Sequence, residues 1–251
     1  MDKALITGGS SGIGLELAKI MAGKGHPLVL VSRDKAALES AAAMLAKTYG
    51  VEVEIVVSDL SIAGSGLELY EKLKDKDIRI LVNNAGVGYV ADFFDGDLQK
   101  DQTMAQLNMI SVMDLCYYFG RDFRGQNAGK ILNIASIAAF VPGPPQPVYY
   151  ATKAFVRSFS RALAYNLRGT NVSITTLHPG VTRTNFLNQA NAPQVQKGAD
   201  PNAVAQAGYD AMMKGKVEVT FGLGNKFLTN VVVRFIPYRW QTAAIGRLSK
   251  V

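Results

Sequence analysis

Short unbroken apolar runs alternate along the chain with longer stretches in which apolar residues return every three or four positions. The runs cover residues 4–7, 27–32, 52–57, 78–82, 130–135, 172–177 and 217–221. They read as strands covered on both faces, as in a parallel sheet, because few of them alternate between apolar and polar positions. The stretches between them carry the helical period: residues 14–24, 35–49, 67–74, 98–123, 150–167 and 202–213. Strand–helix repetition of this kind predicts a three-layer, doubly wound α/β fold around a mostly parallel seven-stranded sheet, with right-handed crossovers. No repeat, linker or compositional break divides residues 1–225, so they are expected to form one domain.

Two segments break the rhythm. Residues 140–147 (FVPGPPQP) hold four prolines and are expected to be a loop, since proline suits neither a helix interior nor a central strand. Residues 226–251 are both apolar and basic. Phe227, Leu228, Val231, Val232 and Phe235 fall on one helical stripe, with Lys226, Asn230 and Arg234 on another face. Pro237 ends the pattern, and Tyr238, Arg239 and Trp240 follow. Three roles are open for this segment: packing or oligomer contact, a lid over a substrate pocket, or docking on an anionic membrane surface.

Composition narrows the classes. One cysteine, Cys116, and two histidines, His26 and His178, exclude a disulfide framework and a cysteine-built zinc cluster, and no metal site is expected. Cys116 lies in a helical stretch and reads as a buried, inert thiol. No apolar run reaches the length of a spanning helix, and the first residues do not read as a signal peptide. A cytoplasmic location, with membrane association left open, is the expectation. The net charge of +7 is not spread evenly. Residues 214–251 carry +6 of it, leaving +1 for the first 213 residues. No nucleic-acid recognition motif is present, and no nucleic-acid partner is expected.

Chemistry first appears at residues 7–14, TGGSSGIG, between the first strand and the first helix. Gly8 permits the turn out of the strand. Gly12 lets backbone approach a pyrophosphate, and Gly14 lets helix and strand pack closely. Ser10, Ser11 and Ile13 complete a loop whose phosphates would meet the helix N-terminus. This is the phosphate-binding turn of a Rossmann-type dinucleotide fold. After the second strand stand Ser32, Arg33 and Asp34. An NAD site places a carboxylate at the position of Ser32; the Arg33 guanidinium suits a 2′-phosphate instead. NADP(H) is therefore expected over NAD(H), and Asp34 reads as the cap of the next helix. Asp59 and Leu60 end the third strand where an adenine edge would lie. Asn84, Ala85 and Gly86, after Asn83, end the fourth strand with small residues beside the expected ribose.

Tyr149 and Lys153 lie four residues apart and share a helix face, which Tyr150 does not. A phenol has an ordinary pKa near 10, and a neighbouring ammonium would lower it toward use as a base. Ser136, at the end of the fifth strand, is expected to reach the same carbonyl oxygen as Tyr149.

Together these residues resemble the classical short-chain dehydrogenase/reductase family. The resemblance covers roughly residues 3–186 and rests on TGGSSGIG, Asp59, NNAG (83–86), Asn108, Ser136, YYATK (149–153) and HPGVTRT (178–184), in that order. It implies an oxidoreductase that interconverts a carbonyl and a secondary alcohol. Residues 1–225 would be the dinucleotide-binding and catalytic domain, with 226–251 either part of it or a separate contact segment. Tyr149 would be the general acid and base. Lys153 would lower its pKa and hold the nicotinamide ribose, Ser136 would orient the substrate oxygen, and Asn108 would anchor a water. Pro179, Gly180, Val181, Thr182 and Thr184 would flank the nicotinamide and phosphates, with Arg183 a further phosphate candidate. Asn84 would touch the cofactor and Asn83 would be structural. The substrate pocket would be lined by Val87, Tyr89, Val90, Phe140, Val141, Pro142, Phe186 and Leu187, which suits an apolar ketone, aldehyde or secondary alcohol, with steroid, fatty-acyl and small aromatic carbonyls all open. The family resemblance also implies a dimer or tetramer, though the tail departs from the glycine-rich ending of many members. His178 and His26 read as structural. The alternative is a catalytically idle NADP(H)-binding protein on the same fold.

Overall fold

The computed structural model describes residues 1–186, 190 and 198–248. β1 (Lys3–Thr7) and β2 (Leu28–Ser32) lie at the heart of the sheet, and Ala4, Leu5, Ile6 and Leu28 to Val31 are wholly inaccessible to solvent. Their unbroken apolar sequence follows from this: side chains alternate between two faces, and both faces are covered. β3 (Val53–Val57), β4 (Ile78–Asn83), β5 (Gly129–Ile134), β6 (Val172–His178) and β7 (Glu218–Thr220) complete a seven-stranded sheet in the order β3-β2-β1-β4-β5-β6-β7. Every pairing is parallel.

One face is covered by α1 (Gly12–Gly23), α2 (Lys35–Tyr49) and α7 (Pro201–Met213). Leu17, Met21, Leu38, Leu45, Val204 and Met212 pack there on Ile6, Leu30 and Leu132. The other face carries α3 (Ser65–Leu73), α5 (Ser111–Gly125) and α6 (Pro147–Asn166), whose Leu69, Leu115, Phe119, Phe123 and Val156 meet Leu5, Val29 and Leu81. Burying each such side chain stabilises the fold by about 1.5–3 kcal/mol. The chain winds outward from β1 to β3, returns to β4, and winds outward the other way. The reversal leaves a crevice beyond the C-terminal ends of β1 and β4, where such folds bind ligands.

Local signals set the helix ends. Asp34 caps α2 by accepting a hydrogen bond from the Ala37 amide at 3.0 Å, the role expected of it. Gly50 closes that helix in the left-handed region, at φ +69°. The expected helix over 98–123 is α4 (Leu98–Ala105) running through a wide π-helical turn (Gln106–Ile110) into α5. The expected loop over 140–147 is shorter than its prolines suggested. Phe140 ends a 3₁₀ turn (Ile137–Phe140), and Pro147 is the first residue of α6. Proline is well placed at a helix start, where its missing N–H would have had no partner.

The tail is helical but does not add to either core. α8 (Leu223–Phe227), a π-helical turn (Leu228–Val232) and α9 (Val233–Phe235) form one rod. After Pro237, α10 (Tyr238–Leu248) turns back, a helix that the apolar pattern did not announce.

Candidate active site

The glycine loop between β1 and α1 is fastened to the end of β4. The Thr7 hydroxyl donates to the Val82 carbonyl at 3.3 Å and accepts from the Asn84 and Ala85 amides at 3.0 Å each. Asn84 Nδ2 donates back to the carbonyls of Thr7 (2.9 Å) and Gly8 (3.1 Å). Asn84 therefore shapes the loop, and it also lines the cleft where the resemblance implies a cofactor contact. Gly8 lies at φ +64°, which only glycine adopts readily. A Cβ on Gly14 would collide with the Gly8 carbonyl and with the Asn84 amide. Ser11 precedes α1 in an extended conformation and makes no side-chain cap, and the first turn carries no acid. The amides at the start of α1 thus face the crevice with their dipole unopposed, a cradle suited to an anion.

That crevice is a cleft of about 630 Å³. It brings together Gly8, Ser10, Ser11, Gly12, Ile13, Ser32, Arg33, Asp59, Leu60, Asn84, Ala85 and Gly86 with Tyr149, Lys153, Pro179, Gly180, Val181, Thr182 and Thr184. Among the sequence-predicted cofactor residues, Gly14 stands behind the wall, and Arg183, the further phosphate candidate, does not line the cleft but lies 4.0 Å from Asp200. The cleft's dimensions and its side-chain-free cradle fit a dinucleotide.

At one end, Ser10 Oγ donates to Ser32 Oγ at 3.2 Å, and Ser32 Oγ also accepts from the Asp34 amide. Arg33 Nη1 lies 3.8 Å from Asp59 Oδ2 and remains largely exposed. Burial opposes the charge on Asp59, but hydrogen bonds from Ser61 and the Arg33 guanidinium outweigh it and hold the carboxyl below its ordinary range.

At the other end stand Ser136, Tyr149 and Lys153. Lys153 Nζ lies 5.8 Å from the Tyr149 ring centroid and donates to the Ile134 carbonyl at 3.1 Å. Burial pushes the Tyr149 phenol up to about 12, and contact with the Ser136 side chain only partly offsets this. Burial also pulls the Lys153 amine down to about 8. The expected lowering of Tyr149 by Lys153 is absent from the protein alone. Desolvation disfavours charge on both groups, and the ammonium spends its short-range contact on a carbonyl. Ser136 Oγ accepts from the Ala138 amide at 3.1 Å, which fixes its turn while leaving its proton free to donate.

Asn108 sits in the π-helical turn, buried and outside the cleft wall. Its Oδ1 accepts from the Val87 amide at 3.0 Å; its Nδ2 donates to the Val87 carbonyl (2.9 Å) and to Thr152 Oγ1 (3.2 Å). Thr152 in turn donates to the Tyr149 carbonyl. Asn108 thus pins α6 and the strand end to each other. A Cβ on Gly86 would lie 3.1 Å from Asn108 Oδ1 and 3.6 Å from Lys153 Nζ, so that glycine keeps the space between them open.

Of the expected substrate-side residues, Val87 and Phe186 line the cleft, and the Phe186 ring lies 5.8 Å from that of Tyr149. Tyr89, Val90, Phe140, Val141 and Pro142 do not line it. Phe140 is held away between Arg157, 3.9 Å from its ring centroid, and His178 at 4.9 Å. Tyr89 is occupied beneath Lys100, and its hydroxyl accepts from the Asp97 amide. Val90 donates its amide to the Ala190 carbonyl. Leu187 lies outside the described residues. The cleft adds Leu107, Gln146, Tyr150 and Ala190, which sequence reasoning passed over. Tyr150 has no lysine four residues on, yet it lines the cleft because Gly143 leaves room for its ring.

The two histidines and the cysteine lie outside the cleft wall. Burial pushes the Cys116 thiol up to about 12, and its sulfur packs against Asn83 and Asn133. His26 Nδ1 lies 2.7 Å from the Asp2 carbonyl. His178 Nδ1 faces the Ser136 carbonyl at 3.2 Å, and its Nε2 lies 3.6 Å from Glu218.

Comparison with known proteins agrees with this geometry. The family model for short chain dehydrogenase matches residues 2–195. A human protein named inactive hydroxysteroid dehydrogenase-like protein 1 is 32% identical over 194 residues, which is 75% of this chain. The chain spans 58% of that protein's length and 63% of its chicken counterpart's. Among solved structures, a short-chain dehydrogenase from Sphingobium yanoikuyae in complex with NADPH superposes with a TM-score of 0.85 at 29% identity, covering 100% of this chain and 96% of that one. The bulky-bulky ketone specific alcohol dehydrogenase from Comamonas testosteroni gives 0.80 at 28%, covering 100% and 95%. The glycine cradle at the sheet reversal, the Tyr149–Lys153 pair beside it and these likenesses lead to one conclusion: the chain belongs to the short-chain dehydrogenase/reductase family of oxidoreductases.

Proposed function

We propose that the protein interconverts a carbonyl and a secondary alcohol on an apolar substrate, uses NADP(H) in preference to NAD(H), and moves the proton through Tyr149. The observation that carries this reading is the meeting of Ser136, Tyr149 and Lys153 in the same cleft as the glycine cradle. The start of α1 and the loop from Gly8 to Ile13 would hold the pyrophosphate. Ser32 and Arg33 would hold the 2′-phosphate, since the Asp59 carboxylate is already bonded to Ser61 and leaves Arg33 donors free. When bound, the nicotinamide supplies hydride to the carbonyl carbon or takes it from the alcohol.

The residues do the rest. Ser136 Oγ donates to the substrate oxygen and fixes its position. Tyr149, a neutral phenol with its pKa near 12, is loaded with the proton that reduction needs and delivers it to the same oxygen. In oxidation the proton travels the other way. Lys153 would hold the ribose and, as an ammonium, support the phenolate. Val87, Leu107, Phe186 and Ala190 make the substrate end apolar. Arg33 and Lys153, both given roles toward the cofactor, are the only cations lining the cleft among the described residues. That composition favours a ketone or alcohol without an acidic group, and the likeness to a bulky-ketone alcohol dehydrogenase points the same way.

A panel of ketones and secondary alcohols, run with NADPH and with NADH, tests the reading. Tyr149→Phe is expected to lower kcat by at least about 100-fold while NADPH still binds. Arg33→Ala is expected to weaken NADPH by about tenfold or more and leave NADH nearly unchanged. A chain that binds NADPH yet turns over nothing across the panel would instead support the idle nucleotide-binding reading.

A further inference from the structure

The outer face of the tail is apolar and exposed, and it belongs to a segment that is basic in sequence. Leu223, Phe227, Val231 and Phe235 are spaced four apart and are 88%, 61%, 41% and 82% exposed. In an unbroken α-helix each step of four overshoots a full turn by about 40°, so three steps would carry the line about a third of the way round the rod. The π-helical turn at Leu228–Val232 is wider and takes back part of that drift. The four side chains therefore stay on one side. Tyr238 and Trp240, at 71% and 72% exposed, add two bare aromatic side chains at the start of α10.

Local bonds set the shape of the segment. Thr229 is buried on its inner side, and Asn225 Nδ2 donates to the Phe221 carbonyl. Gln241 Nε2 donates to the Val233 and Ile236 carbonyls and so closes the corner at Pro237. A Cβ on Gly246 would lie 3.9 Å from Pro144, so α10 reaches the proline segment 141–146. A second exposed apolar edge borders that segment: Ala91 donates its amide to the Pro145 carbonyl, and Phe93, Phe94 and Leu98 beyond it are exposed. Gln146 and Tyr150, at the other end of the segment, line the cleft.

Charge selects the occupant. Lys226, Arg234, Arg239 and Arg247 lie within residues 223–248, and no acid follows Glu218. In a two-fold contact a second copy would bring a segment of the same sign close to this one. An anionic surface would meet them with opposite charge, while phenylalanine, tryptophan and tyrosine enter the boundary layer. No described helix is long and apolar enough to cross a bilayer, so contact is with the surface only. We propose that residues 223–248 dock this protein peripherally on an anionic lipid bilayer, with the mouth of the cleft beside the lipid. The docking stands independently of the oxidoreductase reading.

Flotation of the full chain with phosphatidylcholine vesicles, and with vesicles that also contain phosphatidylglycerol, tests the proposal. The wild-type chain is expected to float with the anionic vesicles, to stay behind with the neutral ones, and to be released as salt rises. Lys226→Glu combined with Arg239→Glu and Arg247→Glu is expected to lower anionic partitioning by at least about tenfold. Phe235→Ser with Trp240→Ser should do likewise, and NADPH binding in each variant verifies the fold. Absence of the wild-type chain from both vesicle fractions would overturn the proposal, as would variants that float as well as wild type. A wild-type dimer in sedimentation velocity that Phe235→Ser with Trp240→Ser converts to monomer would also overturn it, assigning the face to a second copy.

Discussion

Burial sets the charge state of the two central side chains, pushing the Tyr149 phenol up to about 12 and the Lys153 amine down to about 8. A lysine whose pKa is lowered is an ammonium below that value and a neutral amine above it. If the ammonium supports proton transfer, kcat/KM for reduction should fall as pH rises through about 8. In Lys153→Met that limb should vanish, leaving a low, flat profile. A pH–rate series on both proteins checks this, and an unchanged limb in the variant would assign the ionisation elsewhere. The identities of Ser136, Tyr149 and Lys153 were legible because each is tied to a strand end or a helical spacing. Their pKa balance was not, since it depends on how much solvent the surrounding elements exclude. The substrate side was less legible still. Phe140 carries the apolar character of a pocket residue but faces Arg157 and His178, and no local pattern records that choice.

Glu218 shows how single elements are held in place. It lies on the three-residue edge strand β7 and joins that strand to α6 through Arg157 and Arg161 and to β6 through His178. The His178 ring beside it, then the two arginines, outweigh burial and hold the carboxyl down to about 2 from an ordinary 4.5. A lowered carboxyl pKa stabilises the fold fully above pH 4.5, and that stabilisation is lost as pH falls toward 2. The shift corresponds to about 3 kcal/mol at most, and solvent screening of a partly exposed group reduces it to about 1–2 kcal/mol. Urea melts at pH 6 and pH 3 should therefore show a larger loss in the wild type than in Glu218→Gln. Equal losses would mean that the ion pairs add nothing to β7. Most element boundaries could be read from the sequence: α2, for instance, starts and stops where Asp34 and Gly50 say it should. The π-helical turn around Asn108 could not, because it continues the helical period of its neighbours and differs only in backbone bonding.

In the whole molecule, charge and function are separated. The cleft draws its described walls from residues up to Ala190, while +6 of the net charge of +7 lies in residues 214–251. Removing residues 226–251 should leave NADPH affinity within about twofold, measured by nucleotide fluorescence, because surface changes away from a site seldom exceed about 0.5 kcal/mol. A large loss would instead make the tail part of the nucleotide site, acting through Thr229, which donates to the carbonyl of Asn225 where that residue packs against the Gly180 backbone. The sequence by itself determined the strand–helix alternation, the phosphate turn and the Tyr149–Lys153 pair, since each depends on residues close together in the chain. Only the tertiary structure decided which apolar side chains face the cleft, that Asn84 ties the glycine loop to the end of β4, and that the tail's apolar stripe points outward. Those outcomes depend on which distant elements compete for the same surface, and that competition is resolved only when the sheet closes and its two faces are filled.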